Sequence, residues 1–170
     1  MGERRPACRR LLPRRAALLA AALLVMAGCG GGGAALPAQD AVAQYEVVAE
    51  DVLGALTAVR PLAWERGAQG VIEPGAQDCR YRPGIWTADD VLYPEPGQGR
   101  DWGPWREALD PVLEEHGFTP LGREQSSGAA YWLESKGPSG SRLQLYIDGE
   151  LRITDVRVDA EPCEDATLGL

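Results

Sequence analysis

Residues 142–159 read RLQLYIDGELRITDVRVD, and this stretch decides the fold. Leu143, Leu145 and Ile147 alternate with polar neighbours, the period of two that marks a strand with one buried face. Asp148-Gly149 supplies the turn, read as a two-residue type I′ hairpin connection. On the return strand Leu151 and Ile153 share one phase, and Val156 and Val158 fall one step out. A bulge near Thr154-Asp155 restores the buried face. The outward face of the first strand carries Gln144 and Tyr146.

Upstream, Lys136 to Ser141, KGPSGS, is a turn cluster, and Ala130 to Ser135 is a strand before it. Phe118 to Glu124 is a further strand, joined through a Ser-Ser-Gly turn. These four strands run consecutively and form an antiparallel meander. Two stretches have helical spacing instead. Val42, Tyr45, Val48, Val52, Leu56 and Val59 make one apolar face, capped by Asp40 and stopped before Pro61. Gly54 weakens this helix and suggests close approach of a strand. Trp102, Trp105, Ala108, Leu109, Val112 and Leu113 make the second, with Asp101 as cap and Pro104 in the first turn. Pro111 either kinks this helix or restarts it with Asp110 as a new cap. Gly117-Phe118 fits a Schellman-type end.

Between the helices, residues 60–78 lack a clean period and read as a loop with room for a short strand. Cys79 to Thr87 is a strand interrupted by Pro83-Gly84, hence an edge strand or a bulged one. Residues 94–100 are turn-rich. Two helices with single apolar faces must cover one side of the sheet. The expected fold is therefore α+β: a two-layer domain with an antiparallel meander sheet of four to five strands and two helices packed on one face.

The N-terminus is organised differently. Six arginines, Arg4, Arg5, Arg9, Arg10, Arg14 and Arg15, precede an uncharged apolar run, Ala16 to Ala27. Positive flank, short apolar core and small residues at the end form the pattern of a secretory signal. The run is shorter than the roughly 20 residues of a bilayer span. Its end, Met26-Ala27-Gly28-Cys29, resembles a bacterial lipobox. That resemblance implies a signal peptide over residues 1–28, removed so that Cys29 becomes the first residue, with a diacylglycerol on its sulfur. Acyl chains such as palmitate would then hold the protein on the extracytoplasmic face of the cell membrane. Residues 29–39 are expected to be a flexible tether and residues 40–170 a single domain. The alternatives are an ordinary secretory signal, cut near Ala35 or Ala38, and an uncleaved core helix. The abundance of Ala, Gly and Pro, with arginines far outnumbering the single lysine Lys136, suggests a GC-rich genome. The order of helix, cysteine-aromatic strand, second helix, hairpins and late Pro-Cys resembles the small uncharacterised lipoproteins of actinobacteria. That likeness implies fold and location, and no catalytic residues.

Without the leader, 142 residues remain, with 11 basic against 24 acidic side chains and a formal charge of −13. Such a balance argues against nucleic acid and anionic lipid as partners, since both need basic patches. Cys79 and Cys163 remain in an exported, oxidising setting and are expected to form a disulfide. Two free thiols or a metal site are the alternatives, and a metal site needs three or four closely placed ligands.

No motif for a metal, a cofactor, a nucleotide or a catalytic triad is visible, so no catalytic residue is assigned. The lone histidine, His116, reads as a solvated helix-terminal residue. Ser126, Ser127 and Ser141 sit in turn-like stretches, and Asp89-Asp90, Glu114-Glu115 and Glu164-Asp165 read as solvated acids. Trp102 and Trp105 point the same way and read as core. Trp86 and Tyr93 flank a polar loop and, with Tyr146, are the candidate ligand contacts. The expected function is a non-enzymatic, membrane-anchored binding or accessory domain with an envelope protein as partner. Alternatives are a module that binds cell-wall glycan through exposed aromatics and, last, an envelope hydrolase.

Overall fold

A computed structural model describes residues 33–68, 70–92 and 101–169. The leader, Cys29, Tyr93 and the loop 94–100 lie outside the described residues. The fold is α+β, with two helices and ten strands among the described residues: β1 Leu36–Pro37, α1 Ala38–Val59, β2 Trp64–Ala68, β3 Val71–Pro74, β4 Cys79–Arg82, β5 Gly84–Ala88, α2 Gly103–Glu115, β6 Gln125–Ser127, β7 Ala130–Lys136, β8 Arg142–Tyr146, β9 Glu150–Thr154 and β10 Val156–Asp159. The strands form a six-stranded sheet, β2-β5-β9-β8-β7-β6, and a four-stranded sheet, β1-β10-β4-β3. This is larger than the expected four to five strands. The difference comes from residues 60–78, where the expected loop with room for one short strand supplies β2 and β3, from β1 at the N-terminus, and from the division of the expected strands 79–87 and 150–159 into β4–β5 and β9–β10. All pairings are antiparallel except β1 with β10.

The two sheets share a corner. The chain from β4 to β5 passes from one sheet to the other at Pro83, and the chain from β9 to β10 passes at Asp155. Cys79 pairs with Val158 and Thr87 pairs with Glu150, so the register is unchanged across the break. Both strands nevertheless slip one step in phase. Tyr81 and Val156 are buried before the corner, Gly84 and Ile153 after it. The slip expected at Thr154-Asp155 is present, with Asp155 at a positive φ of 63°. It is matched by a second slip at Pro83, which is how paired strands turn a corner together. Pro83 thus marks a sheet-to-sheet passage between doubly paired strands, not an edge.

The helices follow their apolar spacing with shifted ends. α1 buries Ala38, Ala41, Tyr45, Val48, Ala49, Val52 and Leu56, and Arg60 is extended ahead of Pro61. It starts two residues before the expected cap. Pro37 holds the N-cap position, and Asp40 sits in the first turn, where its charge complements the helix dipole. Gly54 faces open solvent, with nothing near the place of a Cβ, so no strand approaches there. In α2 the N-cap position falls to Trp102, not to the expected Asp101, whose carboxylate one residue earlier accepts the Gly103 N–H at 2.9 Å. The helix runs through Pro111. Asp110 does not restart it, because its carboxylate accepts the Leu121 N–H at 2.8 Å. The end is a Schellman motif: Phe118 N–H donates to Leu113 O, Gly117 N–H donates to Glu114 O, and Gly117 takes a φ of 76°.

The meander β6-β7-β8-β9 is as expected in order, but its first strand is displaced. Residues 118–124 run beside β7 with single bonds from Thr119 to Lys136 and Gly122 to Glu134, and β6 begins only at Gln125. The 147–149 turn is also different. Asp148 lacks the positive φ a type I′ turn requires, Gly149 has a φ of 87°, and Gly149 N–H donates to Tyr146 O. This is the three-residue loop with a glycine at its bulge. One core unites the buried faces of both helices with Leu133, Leu143, Leu145, Leu151 and Ile153.

Cys79 and Cys163 form a disulfide, with their Cα atoms 5.6 Å apart and 84 residues separating them. It fastens the C-terminal segment to the start of β4. Beyond it, Leu168 is buried and the Asp165 carboxylate accepts the Ile72 N–H at 2.9 Å. The expected tether is partly folded: Leu36 and Pro37 pair with Val158 and Asp159, and Ser139 Oγ donates to Ala34 O at 2.8 Å.

Two glycine substitutions should act in opposite directions in urea denaturation. Gly54→Ala should stabilise by about 0.5–1 kcal/mol. Gly149→Ala should destabilise by at least about 1–3 kcal/mol, from φ strain alone, because its Cβ would also lie 2.6 Å from Asp90 O. Mass analysis without reduction should find Cys79 joined to Cys163, and replacing both by alanine should cost about 2–5 kcal/mol.

Candidate functional site

Strand alternation leaves one face of β7, β8 and β9 pointing away from the core. Leu133, Leu143, Leu145, Leu151 and Ile153 go inward, so Trp132, Glu134, Gln144, Tyr146, Glu150 and Arg152 go outward, each half-buried. The register sets Trp132 opposite Tyr146, Glu134 opposite Gln144, and Gln144 opposite Arg152. The Trp132 and Tyr146 rings stack with centroids 5.5 Å apart and planes 26° from parallel. The Arg152 guanidinium lies over the Tyr146 ring, 4.6 Å from its centroid, and forms an ion pair with Glu150. Hydrogen bonding to Glu150 raises the Arg152 pKa further, so the cation is permanent. Gln144 Nε2 donates to Glu134 Oε2 at 3.1 Å, and the Tyr146 hydroxyl donates to Gln144 Oε1 at 3.4 Å. Trp132 Nε1 is enclosed with no hydrogen-bond partner.

The result is a rigid plate, aromatic at one side and ionic at the other. Its side chains are held by one another before any partner arrives. Stacked aromatics beside an arginine are the residue types that anchor protein interfaces. Arg152, with 39% of its side chain exposed, remains available to a partner carboxylate.

The other sequence candidates fall elsewhere. Trp86 was expected at the surface, but it is only 5% exposed. It lies on the inward face of β5 with the Arg66 guanidinium 5.0 Å from its ring, so it offers no ligand contact. Tyr93 lies outside the described residues. Tyr146 contributes to the plate. Trp102 and Trp105 are core, as expected, at 7% and 3% exposure. His116 stands at the end of α2 as expected and is half-buried: its Nε2 lies 2.8 Å from Asp51 Oδ2 and ties the end of α2 to α1. Ser141 is buried with its hydroxyl donated to Pro138 O, and Ser126 and Ser127 lie exposed on β6. Among the described residues no group of three His, Cys, Asp or Glu side chains could hold a metal ion. A cleft of about 560 Å³ opens beside the disulfide, lined by residues 75–79 and 157–161 with Ala35 and Cys163. Trp132 and Arg152 were not singled out from sequence, although Trp132 faces Tyr146 as soon as the turn at 136–141 is used to align β7 with β8.

Comparison of the chain with protein-family models, with curated proteins and with solved structures finds no match.

Beneath the corner, Tyr81 is fully buried and its hydroxyl has no hydrogen-bond partner. Burial first, and then the Glu46 carboxylate, push its pKa up to about 12, opposed by Arg66. Burial also raises Tyr45, whose hydroxyl donates to Pro138 O. Below pH 10 both phenols are protonated whether folded or unfolded, so this contribution to stability is complete. As pH rises from 10 toward 12 only the unfolded chain releases these protons, and stability falls. Urea midpoints should drop across that window, and Tyr81→Phe should flatten the drop while leaving the midpoint near neutral pH little changed.

Proposed function

We propose that this chain is a non-enzymatic, lipid-anchored domain on the extracytoplasmic face of the membrane, and that it binds a protein of the cell envelope through the outer face of β7–β9. The observation that carries the binding surface is the preassembled Trp132–Tyr146–Arg152 stack. A ring pair and a guanidinium already fixed in place lose little side-chain entropy when a partner docks. The anchor rests on the arginine leader, the apolar run and Met26-Ala27-Gly28-Cys29. Both helices share a core with the buried side chains of the meander, and its other face is left for a partner.

The glycan alternative is less well supported. It rests on Trp86, Tyr93 and their neighbours; the Trp86 ring is buried, and Tyr93 lies outside the described residues. Trp132 and Tyr146 spend one ring face each on the other.

Two measurements test the proposal. Cys29→Ala should release the protein from membranes into the soluble fraction; continued partitioning into detergent would refute the anchor. A photo-cross-linking residue at position 146 should capture one envelope protein reproducibly in intact cells, and Arg152→Ala should reduce that capture several-fold. The same cross-linker at Val47, an exposed position on α1, serves as control. Equal capture from both positions would refute the assigned surface.

A further inference from the structure

The place where the folded chain begins constrains how the domain would sit on its membrane. Gly33 packs against the backbone of Ser139, where an added Cβ would lie 2.7 Å from the Ser139 nitrogen. Ala34 O accepts the Ser139 hydroxyl, and Leu36–Pro37 form β1 along β10. β1 runs parallel to β10, so tracing it backward from Leu36 leads toward the β10 end that holds Asp155 and Val156. Three residues lie between Cys29 and Gly33, so the four steps from one to the other reach at most about 14 Å even when fully extended. A lipid on Cys29 therefore brings the Ser139 end of the domain close to the headgroups.

The charge at that end is opposite to the charge of the whole. Lys136 and Arg142 face each other in register on either side of the Pro138–Gly140 turn. Arg157 and Arg80 reach the same turn, their side-chain atoms 3.3 Å and 3.6 Å from the place of a Gly140 Cβ. Asp78 lies 2.7 Å from Arg157 and 3.1 Å from Arg80, and Asp155 lies 3.4 Å from Arg142. Four cations against two carboxylates leave a positive rim. Lys136 has no carboxylate partner among the ion pairs of the described residues, and Arg142 keeps 54% of its side chain exposed. The mature chain as a whole carries −13.

We infer that this rim, Lys136, Arg142, Arg157 and Arg80, seats on anionic phospholipid headgroups of the membrane that holds Cys29, directing the Trp132–Tyr146 end of β7 and β8 away from the bilayer surface. The inference rests on the lipid-anchored reading. With a Debye length of about 8 Å at physiological salt, an anionic surface acts chiefly on the groups nearest to it, and a connection of at most about 14 Å keeps the domain near that range. The orientation that turns the rim inward is the one the field favours.

The test uses the only lysine of the chain as its reporter. Full-length lipidated protein is added to preformed vesicles of phosphatidylcholine, or of phosphatidylcholine mixed with phosphatidylglycerol. Flotation establishes binding, and modification of Lys136 by a water-soluble amine reagent is followed by peptide mapping. On phosphatidylglycerol-containing vesicles the reaction should run roughly fivefold slower than on phosphatidylcholine, with the protection lost in high salt. Arg142→Gln combined with Arg157→Gln should remove most of the difference while flotation persists. Equal reactivity on both kinds of vesicle, with the protein floating on each, would overturn the orientation and leave the anchor standing. Failure to float on either would overturn both.

Discussion

The shared corner between the two sheets is the constraint on which the rest of this structure depends. Residues 79–88 and 150–159 form a single antiparallel pair that must serve both sheets, burying Tyr81 and Val156 on one side of the break and Trp86 and Leu151 on the other. A slip on one strand alone would shift the register and put a buried side chain opposite an exposed one. Pro83 and Asp155 slip together, so every later pairing keeps its face. Pro83 donates no backbone hydrogen bond where it stands, and Asp155 is one of the few residue types that tolerates a left-handed backbone. The disulfide, the C-terminal segment and β1 all attach to the four-stranded side of this corner, while the three hairpins of the meander attach to the other.

The parts of the fold legible in sequence are those where one local rule acts alone. The apolar spacing of α1, the Gly117-Phe118 stop of α2 and the phase slip before Val156 each depend on residues within a few positions of one another. Misread elements depend on distant partners. β2 and β3 have no clean alternation, because Arg66 and Trp64 turn inward toward Trp86 and α1, where the guanidinium meets Glu46 at 2.8 Å. A charged residue on a core-facing position hides the period that marks a strand. Residues 118–124 have apolar Phe118 and Leu121 at the right places, but both are buried as an extended connection whose backbone bonds β7 only intermittently. Asp148-Gly149 carried the correct turn position and the wrong turn type, since the Ala88 N–H bonds Gly149 O and draws the loop against the neighbouring chain.

The candidate site was legible through Tyr146 and Gln144 because clean alternation on β8 fixes which side chains face outward. Trp86 was misassigned for the same reason that β5 was hard to phase. Counting alternation from Cys79 without the slip at Pro83 places Ile85 inward and Trp86 outward, the reverse of what the corner produces. Cross-strand neighbours such as Trp132 and Arg152 required register, which sequence indicates only where a turn is tight enough to pin it.

Folding leaves net charge unchanged and sets where the charges gather. A formal charge of −13 is the sum over residues 29–170 and is a fair guide to their long-range field. At separations near a Debye length, the nearest residues dominate, and their sign is set by topology. The Pro138–Gly140 turn brings the ends of β7 and β8 to the start of β10 and the side of β4, collecting Lys136, Arg142, Arg157 and Arg80 from four separate strands. No window of the sequence contains that cluster. Its position matters because the docking of Gly33–Pro37 shortens the chain between fold and Cys29 from a spacer to a few residues. A longer free tether would let the acidic body average over all orientations. With the proposed lipid on Cys29, so short a connection would let the local charge around the point of attachment decide which end of the sheet meets the membrane and which end is left for a partner.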